Sequence, residues 1–154
     1  MKKSITTLTV LFASATVMGV MQAATAQTGQ SVVGPTVAFG SGSTVFGIDS
    51  KFGVADSISV RPAVLFGNGN TLFGSAVTYD FNLQGSGSTN KITPFVGGSL
   101  FFGSNSGNSS LFSILGGADF DVSDTIQLKG AVNVPISNGG GGSTFVTIGA
   151  GFKF

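Results

Sequence analysis

Eight stretches of the chain alternate, residue by residue, between apolar and small or polar side chains. A period of two marks a β-strand with two unlike faces, because successive strand side chains point to opposite sides. The last stretch, 144–154, shows it most plainly. Val146, Ile148, Ala150, Phe152 and Phe154 share one parity; Phe145, Thr147, Gly149, Gly151 and Lys153 share the other. The first set is wholly apolar, and the second is mostly small or polar with a charge near its end.

The same pattern predicts strands over Val33–Gly40, Thr44–Gly53, Ser57–Phe66, Thr71–Phe81, Lys91–Phe102, Leu111–Asp121 and Thr125–Ile136, followed by Thr144–Phe154. Turn chemistry separates them. Short breaks fall at Ser41–Ser43, Val54–Asp56, Gly67–Asn70 and Val122–Asp124, and longer ones at Asn82–Asn90, Gly103–Ser110 and Ser137–Ser143. Gly67-Asn68-Gly69-Asn70 is the clearest hairpin signal, since Gly and Asn tolerate positive φ. Pro35 lacks a ladder donor and is expected near a strand start or an irregularity. Membrane barrels use an even number of strands of about 9–11 residues, and eight strands leave a lumen that side chains can fill. The predicted fold is all-β: an eight-stranded antiparallel up-and-down transmembrane β-barrel.

Lys2 and Lys3 precede a largely apolar run, Ile5–Met21, and Ala24-Thr25-Ala26 fits the A-x-A cleavage pattern. Residues 1–26 therefore read as a signal peptide and 27–154 as the barrel domain, exported without a lipid anchor because there is no Cys. Without Lys2 and Lys3 the chain has five basic and six acidic residues, so no basic field favours nucleic acid. The absence of Cys and His removes thiolate chemistry, the commonest general base and the usual transition-metal ligands. The many Ser residues have no evident base. No cofactor motif, no metal site and no catalytic residue is expected.

Alternation alone does not say which face is outside. A soluble barrel with the Phe/Ile/Val face as its core is the alternative. Three features favour lipid on that face. The opposite face is dominated by Gly, Ala, Ser and Thr, which suit a narrow interior better than a soluble surface. No charge falls on the apolar face, where a midplane Lys or Arg costs roughly 2–4 kcal/mol. Phe residues also mark both ends of it: Phe39, Phe46, Phe66, Phe73, Phe102 and Phe112 at one, Phe52, Phe81, Phe120, Phe152 and Phe154 at the other. Two aromatic bands separated by aliphatics match interfacial girdles.

With these strands and the aromatic-terminated last one, the mature chain resembles the small eight-stranded porin-like and opacity-type barrels of the bacterial outer membrane. The resemblance implies residence in the outer membrane of a Gram-negative envelope, contact with its lipid and a monomeric state. It also implies recognition of the last strand, with Phe152 and Phe154 as assembly signal, by the barrel assembly machinery. Both termini then share the periplasmic side.

Two groups of inward residues are candidates for function. Asp49, Lys51, Arg61, Asp80, Asp119, Lys129 and Lys153 form an expected lumen charge network, with Arg61 near Asp49 and Asp80 on neighbouring strands. It reads as a structural plug or as an ion constriction. Leu65, Leu72, Phe101, Leu111 and Phe145 point inward near the extracellular turns, as packing or as a small apolar pocket at the barrel mouth. The expected role is structural or envelope-related without catalysis. A narrow porin-like channel for small solutes or ions, and a soluble periplasmic β-barrel that binds a small hydrophobic ligand, stand as alternatives.

Overall fold

A computed structural model describes residues 30–40, 42–67, 69–81, 83, 91–103, 110–136 and 143–154. The expected signal peptide, and most of the turns at Asn82–Asn90, Gly103–Ser110 and Ser137–Ser143, lie outside the described residues. Eight strands form: β1 Val32–Gly40, β2 Ser43–Ala55, β3 Ile58–Gly67, β4 Asn70–Asp80, β5 Ile92–Gly103, β6 Ser110–Asp121, β7 Ile126–Pro135 and β8 Phe145–Lys153. Each pairs antiparallel with its sequence neighbour, and β1 pairs with β8 to close the barrel. Closure leaves no unpaired edge, which a hydrocarbon surrounding demands.

The first and last described residues lie at one end of the barrel, called here the terminal end. The other, the loop end, carries the connections β1–β2, β3–β4, β5–β6 and β7–β8. Two of these are two-residue turns, bounded by the pairs Gly40↔Ser43 and Gly67↔Asn70, with Gly42 and Gly69 both at φ 74°. At the terminal end, the β6–β7 turn is held by Ser123, whose Oγ accepts from the Ile126 N–H at 3.0 Å.

Proline leaves two gaps in the ladder. β1 and β8 pair at Val33↔Phe152 and next at Thr36↔Gly149, skipping Pro35. β2 and β3 pair at Asp49↔Ala63 and next at Phe52↔Val60, skipping Pro62. A residue without an N–H cannot complete either rung. Beside the first gap the sheet needs a glycine. A Cβ on Gly34 would strike the backbone of Ala150 and lie 2.5 Å from the Gly151 Cα.

The predicted faces hold through closure. Large apolar side chains point out along every strand, with Phe46 62% and Phe152 64% exposed. The six Phe of the loop-end band are all exposed, as are Phe81, Phe152 and Phe154 at the terminal end. Phe52 drops out of that second band: it is 3% exposed, one residue before a register shift between Gly53 and Ala55. Inside, small and polar side chains such as Thr36, Thr78, Ser99 and Ser113 are buried. An apolar exterior around a polar lumen is the reverse of a soluble β-protein and the arrangement of a membrane barrel.

Candidate functional site

Four of the seven predicted lumen charges meet in one cluster. Arg61 rises from β3 and is 6% exposed, and Asp119 reaches toward it from β6, across the lumen. The guanidinium donates from Nη1 to Asp119 Oδ1 at 3.0 Å and from Nη2 to Oδ2 at 2.7 Å. This two-pronged contact is the strongest form of the pair. Nη2 also reaches Asp80 Oδ1 on β4 at 3.2 Å, and Nε donates to Thr78 Oγ1 at 3.0 Å. Lys51 of β2 lies 2.7 Å from Asp80 Oδ2 and 2.8 Å from Asp119 Oδ2. Ser59 donates to Asp80 Oδ2 at 2.7 Å and Thr78 to Asp80 Oδ1 at 2.9 Å. The Arg61 Cζ sits 3.8 Å from the centroid of the Phe95 ring.

The reason for this density is electrostatic. An unpaired buried charge is costly, whereas two cations, two carboxylates and three further polar or aromatic partners neutralise and solvate one another. The result ties β2, β3, β4 and β6 together across the interior.

The remaining three charges are elsewhere. Lys129 on β7 pairs with Asp49 on β2, again across the lumen. Lys153 pairs with Asp121 at 3.1 Å near the terminal end, where Gln127 donates to the same carboxylate at 2.7 Å. The expected partnership of Arg61 with Asp80 is present, but that of Arg61 with Asp49 is replaced by Arg61 with Asp119. The register explains it. Asp49 pairs along the ladder with Ala63, two residues closer to the loop end than Arg61, while Thr78 and Asp80 lie on the terminal side of Arg61's own partner, Ala76. The guanidinium is therefore drawn toward the terminal end and across. Asp119 and Lys129 are direct ladder neighbours, yet each bonds a residue on another wall.

The sequence puts Asp121 at a strand end beside a turn, outside the expected charge network, and singles out none of Ser59, Thr78, Phe95 and Gln127. All four of these were legible as inward by parity. Phe95 was the most visible, as a large inward ring between Thr93 and Gly97.

Toward the loop end the lumen changes character. Ala38, Leu65 and Phe101 form a buried apolar cluster, with Val45, Ala63, Leu72, Leu111 and Phe145 packed against it. Phe101 and Phe145 meet edge to face at 5.8 Å. Thus the five residues considered for a mouth pocket are brought together, and they fill the space with each other. Leu65 and Phe101 border a void of about 40 Å³ on the side of the ion pairs. At the terminal end lies an open cup of about 570 Å³, walled by side chains that include Lys51, Ser59, Asp80, Lys91, Asp124 and Lys153.

No family model matches the chain, and no curated protein matches it in sequence. Solved structures do match. A protein from the de novo design of transmembrane β-barrels superposes with a TM-score of 0.67 at 15% identity, covering 83% of this chain and 98% of its own. The N-terminal β-barrel domain of Pseudomonas aeruginosa OprF gives 0.55 at 13% identity, covering 81% and 97%. The Yersinia pestis outer membrane protein Ail, determined in a phospholipid bilayer nanodisc, gives 0.50 at 11% identity, covering 82% and 100%. The chain thus has the fold of the small eight-stranded outer-membrane β-barrels.

Proposed function

We propose that the protein is an integral β-barrel of the bacterial outer membrane whose lumen is closed, and that its role is structural or envelope-related without catalysis. The observation that carries this reading is the neutral Arg61–Asp119–Asp80–Lys51 cluster, which spans the interior from wall to wall. The apolar packing around Leu65 and Phe101 closes the same lumen a second time. Asp49, Asp80, Asp119 and Asp121 are all engaged by cations, which removes these four lumen carboxylates as candidate acids or bases. A monomer surrounded by lipid accounts for the largely apolar exterior. Phe152 and Phe154, both exposed on the last strand, suit recognition by assembly machinery.

The test is fractionation of the envelope, followed by gel migration with and without boiling and by planar-bilayer recording. The expected result is an outer-membrane protein whose compact band shifts on boiling and which carries no steady current. Recovery in the soluble periplasmic fraction without a shift would overturn the reading.

A second reading, a narrow conduit, is favoured by the polar cup at the terminal end. It requires the ion cluster to open. Steady single-channel current from the wild-type protein would establish it in place of the closed barrel.

A further inference from the structure

We propose that the cup at the terminal end binds a small zwitterionic solute, an amino acid or short peptide, whose carboxylate is taken by Lys91 and whose ammonium is taken by Asp124. This goes beyond the closed-barrel reading and rests on the fold alone, because a solute held in the cup needs no passage through the lumen.

Most charges of the barrel are spent on one another. The cluster of Lys51, Arg61, Asp80 and Asp119 is neutral as a unit, Lys129 pairs with Asp49, and Lys153 pairs with Asp121. Lys91 and Asp124 are different. Both are exposed, and neither side chain has an ion pair or hydrogen bond among the described residues. Both also line the same cup of about 570 Å³. Lys91 shares the parity of Thr93 and Phe95, which are buried, so its side chain turns toward the lumen rather than toward lipid.

The backbone that carries the two charges is held in place. The Asp121 N–H donates to the Lys91 carbonyl at 2.9 Å, which fixes the start of β5 beside the end of β6. The turn that follows, with Asp124 in it, is closed by the bond from the Val122 N–H to the Ile126 carbonyl at 3.0 Å and by the Ser123 hydroxyl. Neighbouring strands lie about 4.8 Å apart and three further residues add at most about 11 Å, so the two backbones are within about 16 Å. The lysine stem closes part of that gap, which leaves the span of one to three residues of extended peptide. The floor of the cup completes the selection. Lys51 and Asp80 face it as members of a neutral cluster, so no net field there draws in a lone ion. Asp56 adds a negative charge to the wall and disfavours a second carboxylate on the solute. A singly charged solute satisfies one of the two free groups, whereas a zwitterion satisfies both with charge-assisted hydrogen bonds.

The test uses the barrel purified in a non-ionic detergent, since a zwitterionic one would compete. Its amide NMR spectrum is followed as glycine, glycylglycine or triglycine is added. The expected result is a saturable shift at Lys91, Asp124 and Gln127 with at least one of the three, and none at Gly42 or Gly69 of the loop end. Acetylating the amino group or amidating the carboxylate of the same solute should weaken binding about fivefold, and salt should weaken it as well. Lys91→Met and Asp124→Asn should each weaken it about fivefold and leave the boiling-sensitive band unchanged, because neither residue belongs to the ion cluster. Exchanging the charges, Lys91→Asp with Asp124→Lys, should restore binding to within about twofold, with the solute reversed. No saturable shift with any of the three zwitterions, equal affinity for the solute blocked at both ends, or undiminished binding by Lys91→Met would overturn the proposal. The closed-barrel reading would then stand, because gel migration and bilayer recording test it separately.

Discussion

The two halves of the lumen are filled by opposite means. On the terminal side four ionised groups from four strands satisfy one another, with Asp119 only 1% exposed. On the loop side six apolar side chains pack around Leu65 and Phe101. Apolar packing is tolerant: it accepts any side chains of suitable volume. The ion cluster is not, because each carboxylate oxygen has a named donor at hydrogen-bonding distance. The difference implies that the apolar half contributes stability by filling space. The ionic half imposes specificity, penalising any register that separates Arg61 from Asp119.

The sharpest break of this contrast is Arg61→Met. It leaves Asp80 and Asp119 buried with Lys51 as their one cation, and should cost about 3–5 kcal/mol. Urea unfolding in detergent or lipid, followed by the boiling-sensitive band, measures it. Phe101→Ala should cost about 3 kcal/mol through a cavity in the apolar half. If the two halves differ in tolerance as argued, Phe101→Leu should recover most of that loss, while Arg61→Lys should recover little of the first. A lysine cannot reproduce the forked contact to Asp119 or the stacking on Phe95. Lys129→Met should be milder, about 1 kcal/mol, because both it and Asp49 retain partial access to solvent. Smallest of all, Lys153→Met should cost less than about 1 kcal/mol, since Asp121 keeps its bond from Gln127 when the lysine is lost.

The sequence made the faces legible and the partners obscure. Alternation reports whether a side chain points in or out, so Asp119, Arg61 and Leu65 were all placed in the lumen from parity alone. It carries no information on the angle around the barrel axis. Asp119 and Arg61 stand 58 positions apart on opposite walls, and no local pattern links them. The same blindness explains why Asp49 was expected beside Arg61, its neighbour-strand residue, rather than beside Lys129. Turn positions were close, because Gly, Asn and Ser declare themselves. Strand ends differed by a residue or two where pairing continued into a predicted turn, as when β2 extends to Ala55. Phe52 shows the other limit: parity places its ring outward and says nothing of its burial, yet it is 3% exposed beside the register shift that follows Gly53.

The cross-lumen position of the ion cluster also bears on time. Arg61 and Asp119 sit on walls that face each other only after β1 has met β8. Their contacts should therefore form late, as the sheet closes. Interactions absent from a transition state act on the escape from the native state and not on its formation. The cluster should then serve as a latch: its loss would leave the folding rate nearly unchanged and shorten the lifetime of the folded barrel.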